Sequence, residues 1–410
     1  MAVVVLAAEA LLTPRALAAP GEDEITVTCI VLPRGRANRA DAVRVTTGLR
    51  NGIRVRNGVR YVDPVDLLSP EVPTAEVEAA LEDVRVVREA SLERSAASYQ
   101  KRAHAAANVL DANAAVVKRV DLLDAQMVAA ITDCDAKEAD ACVAGMKRVL
   151  AVREDFVYDV ERYPDRHLER FVQVQTEFVA NGGRGTLEIN TEPQGAEVFV
   201  DGRSIGAAPT VVSALLEGDH YITAKAVGFE KLVVRLPVRA NAADATLVEL
   251  KSSDRALLLE NDLPRVEREL GQPRAGKAIA GLAGYLFAQQ VVLGTLERTD
   301  DGGQRLAVYV YDLRTKFLLR SEELRIPPED NAEDAARDLA KTMYRGVDLG
   351  GGLEAPEEDE ATATLFYEEW WFWTAVGVVL VSGGVAIGVA SSSGGSDVPD
   401  GWTRLSGSIR

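Results

Sequence analysis

The residues with the most potential for chemistry are three histidines and three cysteines. Cys134 and Cys142 stand close together in an Asp-rich stretch, and in an oxidising compartment such a pair can join a helix–helix turn by a disulfide. Two free thiols are the alternative. Cys29 lies in a strand-like run of β-branched residues, where we expect a small core residue. The histidines are scattered and share no ligand spacing with the cysteines, so no metal site is predicted.

Sequence motifs for catalysis are missing. The sequence contains no G-x-S-x-G elbow, no P-loop and no H-E-x-x-H helix. Its carboxylates form runs such as 357–360, which are typical of a solvated linker. We therefore expect no enzyme and no cofactor. The formal net charge of −17, without any Lys/Arg-rich block, argues against nucleic acid as a partner.

An uncharged, mostly apolar run over 370–390 has the length needed to cross a hydrocarbon core. Trp370, Trp371 and Trp373 stand at one end, where amphipathic rings favour the membrane–water boundary. This pattern predicts a single transmembrane helix, with a buried core helix as the alternative. Positively charged residues favour the cytoplasmic side of a membrane, and the chain after the run carries basic residues whereas the 20 residues before it carry none. The sequence therefore predicts a cytoplasmic tail over 391–410.

Gly384 and Gly388 form a G-x-x-x-G pattern within that run. Two glycines one turn apart let helices approach closely, which would make a homodimer through the membrane helix. The alternative is the ordinary glycine content of such helices.

The N-terminus resembles a secretion signal. Residues 2–12 form a short apolar segment, and Ala16-Leu17-Ala18 has the pattern of a cleavage site. We predict a signal peptide over 1–18, with a first buried helix as the alternative. Together the two ends predict a single-pass protein with its bulk outside the cytoplasm.

Between these ends the chain divides by pattern. Residues 19–70 read as a small α/β unit, strand–helix–strand. Residues 71–180 are helical, with one apolar stripe from Val77 to Leu110. The stretch 141–156 resembles the closing part of a tetratricopeptide-like repeat; a helical bundle is the alternative.

Residues 185–250 carry alternating apolar residues typical of half-buried strands, and we expect a meander of about five strands. Turn residues recur between the strands in a fixed order. They are Pro193, Gln194, Gly195, Ala196, Asp201, Gly202, Gly206, Pro209, Gly218 and, opening a strand, His220.

This order of landmarks resembles a PEGA domain, a small extracytoplasmic β-sandwich of bacterial envelope proteins. Pro193-Gln-Gly-Ala stands where the family has Pro-Glu-Gly-Ala. The resemblance implies an interaction module without catalysis and without a common ligand. We expect His220 to cap or pack rather than to bind a ligand.

Residues 252–347 form a second α/β unit, with two strands flanking the hairpin turn Asp300-Asp-Gly-Gly303. Its Val-Val-Leu-Gly and Tyr-Asp strands resemble the small α/β N-terminal domain of the periplasmic Tol–Pal propeller protein, as does the unit over 19–70. This resemblance implies a docking domain, and the two α/β pieces could pack together. Residues 348–369 are an acidic linker.

The predicted fold class is multidomain α+β: a helical region, a small all-β PEGA sandwich, an α/β domain and a single C-terminal transmembrane helix. The predicted function is that of a non-catalytic scaffold, held in the bacterial inner membrane with its bulk in the periplasm and binding envelope proteins. The alternative is binding of peptidoglycan or another polysaccharide. Carbohydrate sites usually present exposed aromatic side chains. The sequence has few tryptophans outside the apolar run, which argues against this alternative.

Overall fold

The computed structural model describes residues 24–68, 73–344 and 402–406, all within one compact unit. The chain begins with an α/β stretch and continues into helices. The first stretch contains β1 (Ile25–Arg34), α1 (Arg39–Arg54), β2 (Val59–Tyr61) and α2 (Pro64–Leu68). The helices are α3 (Ala75–Glu93), α4 (Gln100–Ala112), α5 (Arg119–Asp135), α6 (Ala139–Val152) and α7 (Leu168–Asn181).

Seven strands and a second α/β stretch follow. The strands are β3 (Arg184–Glu192), β4 (Glu197–Val200), β5 (Arg203–Ala207), β6 (Thr210–Leu216), β7 (Gly218–Lys225), β8 (Leu232–Val238) and β9 (Ala243–Glu249). The α/β stretch contains α8 (Asp254–Glu269), α9 (Lys277–Gly281), α10 (Ala283–Leu286), β10 (Gln290–Arg298), β11 (Gln304–Asp312), β12 (Phe317–Ile326) and α11 (Ala332–Met343). A last strand is β13 (Trp402–Ser406).

The two α/β stretches form one domain around a five-stranded sheet of order β12-β11-β10-β1-β2. β1 runs parallel to both β10 and β2, so the strand that opens the first stretch lies beside the first strand of the second. Side chains of β1 alternate between two cores. Cys29 faces α1 and α11, whereas Ile30 faces α2 and α8–α10. Covered on both faces, β1 is apolar almost throughout, as buried parallel strands are.

Two glycines allow α1 and α11 to pack closely. A Cβ at Gly48 would lie 2.1 Å from the Glu333 carbonyl oxygen, and one at Gly52 would lie 2.4 Å from that of Arg337. Neither position has room for a side chain. The two glycines lie one turn apart on the same face of α1, and their lack of side chains lets the backbones of α1 and α11 come close together.

The helices and the sandwich are inserted into this domain between α2 and α8. The apolar stripe predicted from Val77 to Leu110 belongs to two helices, α3 and α4, and not to one. Both helices bury their part of the stripe in the same core. The break lies at 94–99, where the Ala96 N–H donates to Asp135 Oδ2 at 2.6 Å. The predicted helical region also contains α7 as a helix of its own, and its Phe171 and Phe178 are buried in the same core.

The sandwich consists of two four-stranded sheets, of order β13-β9-β3-β6 and β5-β4-β7-β8. The predicted meander is wrong in topology. Strands β3 and β4 belong to different sheets although only 193–196 separate them, and β9 returns to pair parallel with β3. Alternation along a strand reports which side chains are buried, but it does not report which neighbour the strand takes.

β13 corrects the predicted position of the tail. Residues 391–410 were expected in the cytoplasm, on the opposite side of a membrane from the sandwich. Residues 402–406 instead pair with β9 of the sandwich, which requires both segments to lie on the same side.

The fold class is corrected as well. The chain is a mixed α+β multidomain protein, and its described ranges contain no helix that is both long and apolar enough to be the predicted transmembrane helix. The signal peptide (1–18), the acidic linker (348–369) and the run over 370–390, with its tryptophans and the Gly384/Gly388 pair, lie outside the described residues.

Candidate functional site

A cleft opens where the α/β domain meets the sandwich. It comprises a mainly apolar cavity of about 240 Å³ and an adjoining polar space of about 690 Å³. Arg50 of α1, Tyr61 and Asp63 at the end of β2, and Lys225 of β7 line both spaces. Two elements of the α/β domain and one strand of the sandwich thus converge on the same volume.

A buried ion pair closes the base of the cleft. Arg50 donates through Nη1 and Nη2 to the two carboxylate oxygens of Glu197 on β4, at 3.0 and 2.5 Å. The two side chains are 7% and 10% exposed. The hydroxyls of Thr47 and Ser204 also donate to Glu197 Oε1. Burial opposes the charge of Arg50, but the hydrogen bonds and charge of Glu197 outweigh it and raise the Arg50 pKa.

A second ionic group lies beside the first. Lys225 Nζ lies 3.5 Å from an Asp63 carboxylate oxygen and 3.1 Å from one of Asp66. Burial would lower the pKa of Lys225, yet these two carboxylates raise it. Asp63 also approaches Arg50 at 3.8 Å. Arg50 and Lys225 are therefore paired with carboxylates of the cleft, and most of these pairs cross between the two domains.

Aromatic rings complete the walls. The Arg50 guanidinium and the Lys225 ammonium each lie 5.9 Å from the centre of the Phe199 ring, and the Arg54 guanidinium lies 5.3 Å from that of Tyr61. Cation–π contacts of this kind orient long basic side chains. Cys29 lines the apolar end, where burial raises the pKa of its thiol to about 12. A neutral thiol is a poor nucleophile.

The Pro193–Ala196 turn packs against the start of α1. Gly195 has a φ of +77°, and a Cβ there would lie 2.7 Å from the Ala40 backbone nitrogen. Arg39 Nη1 donates to the Gln194 carbonyl at 3.5 Å. Asn38 caps α1 with its side chain, which holds the first turn of this helix in place beneath the sandwich. The turn is thus a contact between domains.

The Asp201–Gly202 turn is tied to His220. Both residues of the turn have positive φ, and Asp201 Oδ2 lies 2.6 Å from His220 Nδ1. His220 Nε2 lies 2.7 Å from the Leu216 carbonyl oxygen, so both ring nitrogens face acceptors. Burial would lower the His220 pKa, but Asp201 and this carbonyl raise it. The arrangement favours the protonated ring, and it joins β7 to the β4–β5 turn.

The helices contact the other end of β7, on the same outer face of its sheet as Lys225. Tyr221 of β7 is fully buried, donates its hydroxyl proton to Asp111 at the end of α4, and accepts a hydrogen bond from Gln126 of α5 at 2.7 Å. Arg119 lies 3.3 Å from Asp201. Gly218 adds a close approach, because a Cβ there would lie 2.9 Å from Ala151 Cβ of α6. The sandwich is therefore held by the helices at one end of β7 and by the α/β domain at the other.

The cysteines expected to pair, Cys134 and Cys142, are joined by a disulfide between the end of α5 and the start of α6. The remaining turn residues named from the sequence are dispersed around the sandwich: Gly206 ends a short strand of one sheet and Pro209 precedes β6 of the other. The sequence analysis missed Arg50, Asp63, Glu197 and Lys225. A single Arg, Asp, Glu or Lys in each of four distant elements gives no spacing signal, and only the fold brings them together.

Comparison with known families assigns the sandwich. Residues 184–253 match the family described as PEGA domain. No curated protein shows a significant match to the chain. A PEGA domain fits an extracytoplasmic location and suggests an envelope-associated protein. The sandwich between the helices and the α/β domain is thus a PEGA domain, and the chain is a PEGA-domain-containing protein.

Proposed function

We propose that this protein is a non-catalytic scaffold of the bacterial cell envelope, whose helices, PEGA domain and α/β domain form one arm that binds other envelope proteins. The observation that carries the proposal is the attachment of the PEGA domain to its neighbours at both ends of β7. Glu197 pairs with Arg50 of the α/β domain, and Tyr221 bonds Asp111 of the helices.

Buried polar contacts of this kind favour a fixed arrangement over loosely linked modules. A carboxylate or guanidinium that loses its partner inside a protein pays a large desolvation cost, so the domains resist separation. A fixed arrangement keeps the binding surfaces of the arm at constant spacing. This is what a scaffold requires and what a flexible tether does not provide.

The groups of the cleft also favour a non-catalytic role. Lys225 is engaged by Asp63 and Asp66, and Arg50 by Glu197. Cys29, with its pKa of about 12, stays neutral at physiological pH. General acid–base work needs a group whose pKa lies near the operating pH and which reaches a substrate. Charges engaged in structural pairs serve stability instead.

In-cell crosslinking followed by purification and mass spectrometry tests the proposal. We expect defined envelope proteins to be recovered with the full chain. They should be lost when residues 69–252, which contain the helices and the PEGA domain, are replaced by a short linker. Recovery of the same proteins with both chains would show that the helices and the PEGA domain do not bind them. Recovery of no protein with the full chain would contradict the scaffold function.

A second candidate, binding of peptidoglycan or another polysaccharide, is favoured by the composition of the cleft. The rings of Phe199 and Tyr61 stand beside Asn51, Ser204 and Thr47, a mixture of aromatic and polar groups that suits a sugar. Calorimetry with soluble peptidoglycan fragments tests it. Saturable binding lost in Phe199→Ala would establish this function, and the absence of heat at millimolar fragment would exclude it.

A further inference from the structure

The outermost strand of one PEGA sheet comes from outside the domain. The family match ends at residue 253, whereas β13 lies at 402–406 and adds to the free edge of β9. Residues 345–401 separate it from the last helix of the α/β domain. A segment distant in the chain therefore occupies an edge that the domain itself leaves open.

The pairing is a regular parallel ladder. It runs from Trp402 opposite Ala245 to Ser406 opposite Glu249. Thr246 Oγ1 adds a hydrogen bond to the Thr403 carbonyl oxygen at 3.1 Å. An edge strand presents a row of unpaired N–H and C=O groups, and pairing with an extended segment satisfies them whatever the sequence of that segment.

Of the two β13 side chains whose burial is described, one supplies side-chain selectivity. Leu405 lies opposite Val248, which is fully buried in the core of the sandwich, and Leu405 itself is half-buried. Thr403, two residues earlier, is exposed. Side chains of paired residues lie on the same face, so Leu405 extends the core at its open side. An apolar residue is favoured at this register position, and a charged one is disfavoured.

We propose that the outer edge of β9 is a binding site for an extended segment of a partner protein, taken parallel to β9 with an apolar side chain opposite Val248. The chain's own residues 402–406 occupy this site as a tethered competitor. This inference goes beyond the scaffold, because it names where a partner would bind and what must leave first.

The tether sets the strength of the competition. A segment carried on the same chain as its binding site competes at an effective concentration on the order of 1 mM. If the free segment binds with a dissociation constant of about 100 μM or less, the tethered copy weakens binding of an added peptide by roughly tenfold or more. A partner gains the site readily only when 402–406 has been released.

A labelled peptide with the sequence of residues 400–408 tests the proposal by fluorescence anisotropy. We expect saturable binding to a chain lacking residues 400–410 and binding at least tenfold weaker to the full chain. A peptide carrying Leu405→Asp should not bind, whereas the matched peptide carrying Thr403→Ser should bind like the original. Full-length Leu405→Asp protein serves as a second acceptor if the shortened chain fails to fold.

The outcomes separate cleanly. Binding to neither opened chain would overturn the site, and equal binding to opened and full chains would overturn the competition. Binding of the Leu405→Asp peptide would overturn the proposed selectivity. None of these results bears on whether the full chain recovers envelope proteins, so failure here and failure of the scaffold are distinguishable.

Discussion

Replacing Glu197 by Ala is expected to destabilise the protein strongly. The change leaves Arg50, 7% exposed, without the carboxylate that accepts from both of its Nη atoms. Among the described residues, its Nε has no hydrogen-bond partner. Without Glu197, the guanidinium keeps only the long hydrogen bond from Nη2 to Thr47 Oγ1, at 3.5 Å, among its printed bonds. The nearest remaining carboxylate is Asp63, at 3.8 Å. Removing one partner of a buried pair costs about 3–5 kcal/mol.

Urea denaturation followed by far-ultraviolet circular dichroism measures this loss. With a slope of about 3 kcal/mol per molar urea, the cost corresponds to a midpoint lowered by about 1–2 M. The double variant Arg50→Met/Glu197→Leu removes both charges and should recover most of the stability, since an apolar pair of similar volume avoids the desolvation cost.

The matched control is the pair of Glu82 and Arg85 on α3. It has the same chemistry, but its side chains are 53% and 48% exposed. Solvent screens such a pair, so Glu82→Ala should leave the midpoint nearly unchanged. If Glu197→Ala shifts the midpoint no more than Glu82→Ala does, the ion pair does not hold the α/β and PEGA domains together and the reasoning fails.

Three further predictions concern other contacts. Because its folded pKa is raised, protonated His220 stabilises the fold fully below its unfolded pKa of about 6.5. The variant His220→Gln should therefore melt below the unchanged protein at low pH, and this difference in melting temperature should shrink as pH rises through the folded pKa. A difference that stays constant with pH would contradict this. Gly52→Ala should lower the melting temperature by several degrees, because its Cβ would overlap the Arg337 carbonyl, whereas Gly35→Ala, at an open turn, should cost less. Replacing 69–252 by a Gly-Ser linker should leave a cooperatively folding α/β domain, because Ser253 Oγ lies 3.3 Å from the Leu68 carbonyl oxygen; loss of cooperative melting would refute this.

The elements of the α/β domain could be predicted from the sequence because their patterns are local. The hairpin of β10 and β11 follows from two apolar strands around an Asp-Asp-Gly-Gly turn, and α11 follows from an Asn cap and an apolar stripe. The PEGA landmarks likewise fall in order along one short stretch, which the family match bears out.

The cleft could not be predicted in the same way. Arg50 and Glu197 meet only because the chain leaves the α/β domain after α2 and returns at α8, an insertion that no local pattern announces. Gly48 and Gly52 do carry a signal, since glycines one turn apart on a helix indicate close packing. Close packing was predicted from this spacing only for Gly384 and Gly388. The predicted transmembrane helix rested on the uncharged run over 370–390 with tryptophans at one end. That run lies outside the described residues, which contain no helix able to cross a membrane.

The central claim is that the arm binds envelope proteins through its outer surfaces. Site-specific photocrosslinking in cells tests it most directly, with the reactive side chain placed at Val211 on the edge strand β6, 57% exposed. A matched position is Glu89 on the exposed face of α3. The account predicts a discrete protein adduct from Val211, and an adduct from Glu89 would add a contact on the helices of the same arm. No protein adduct from Val211, or from any exposed position of the PEGA domain, would contradict it.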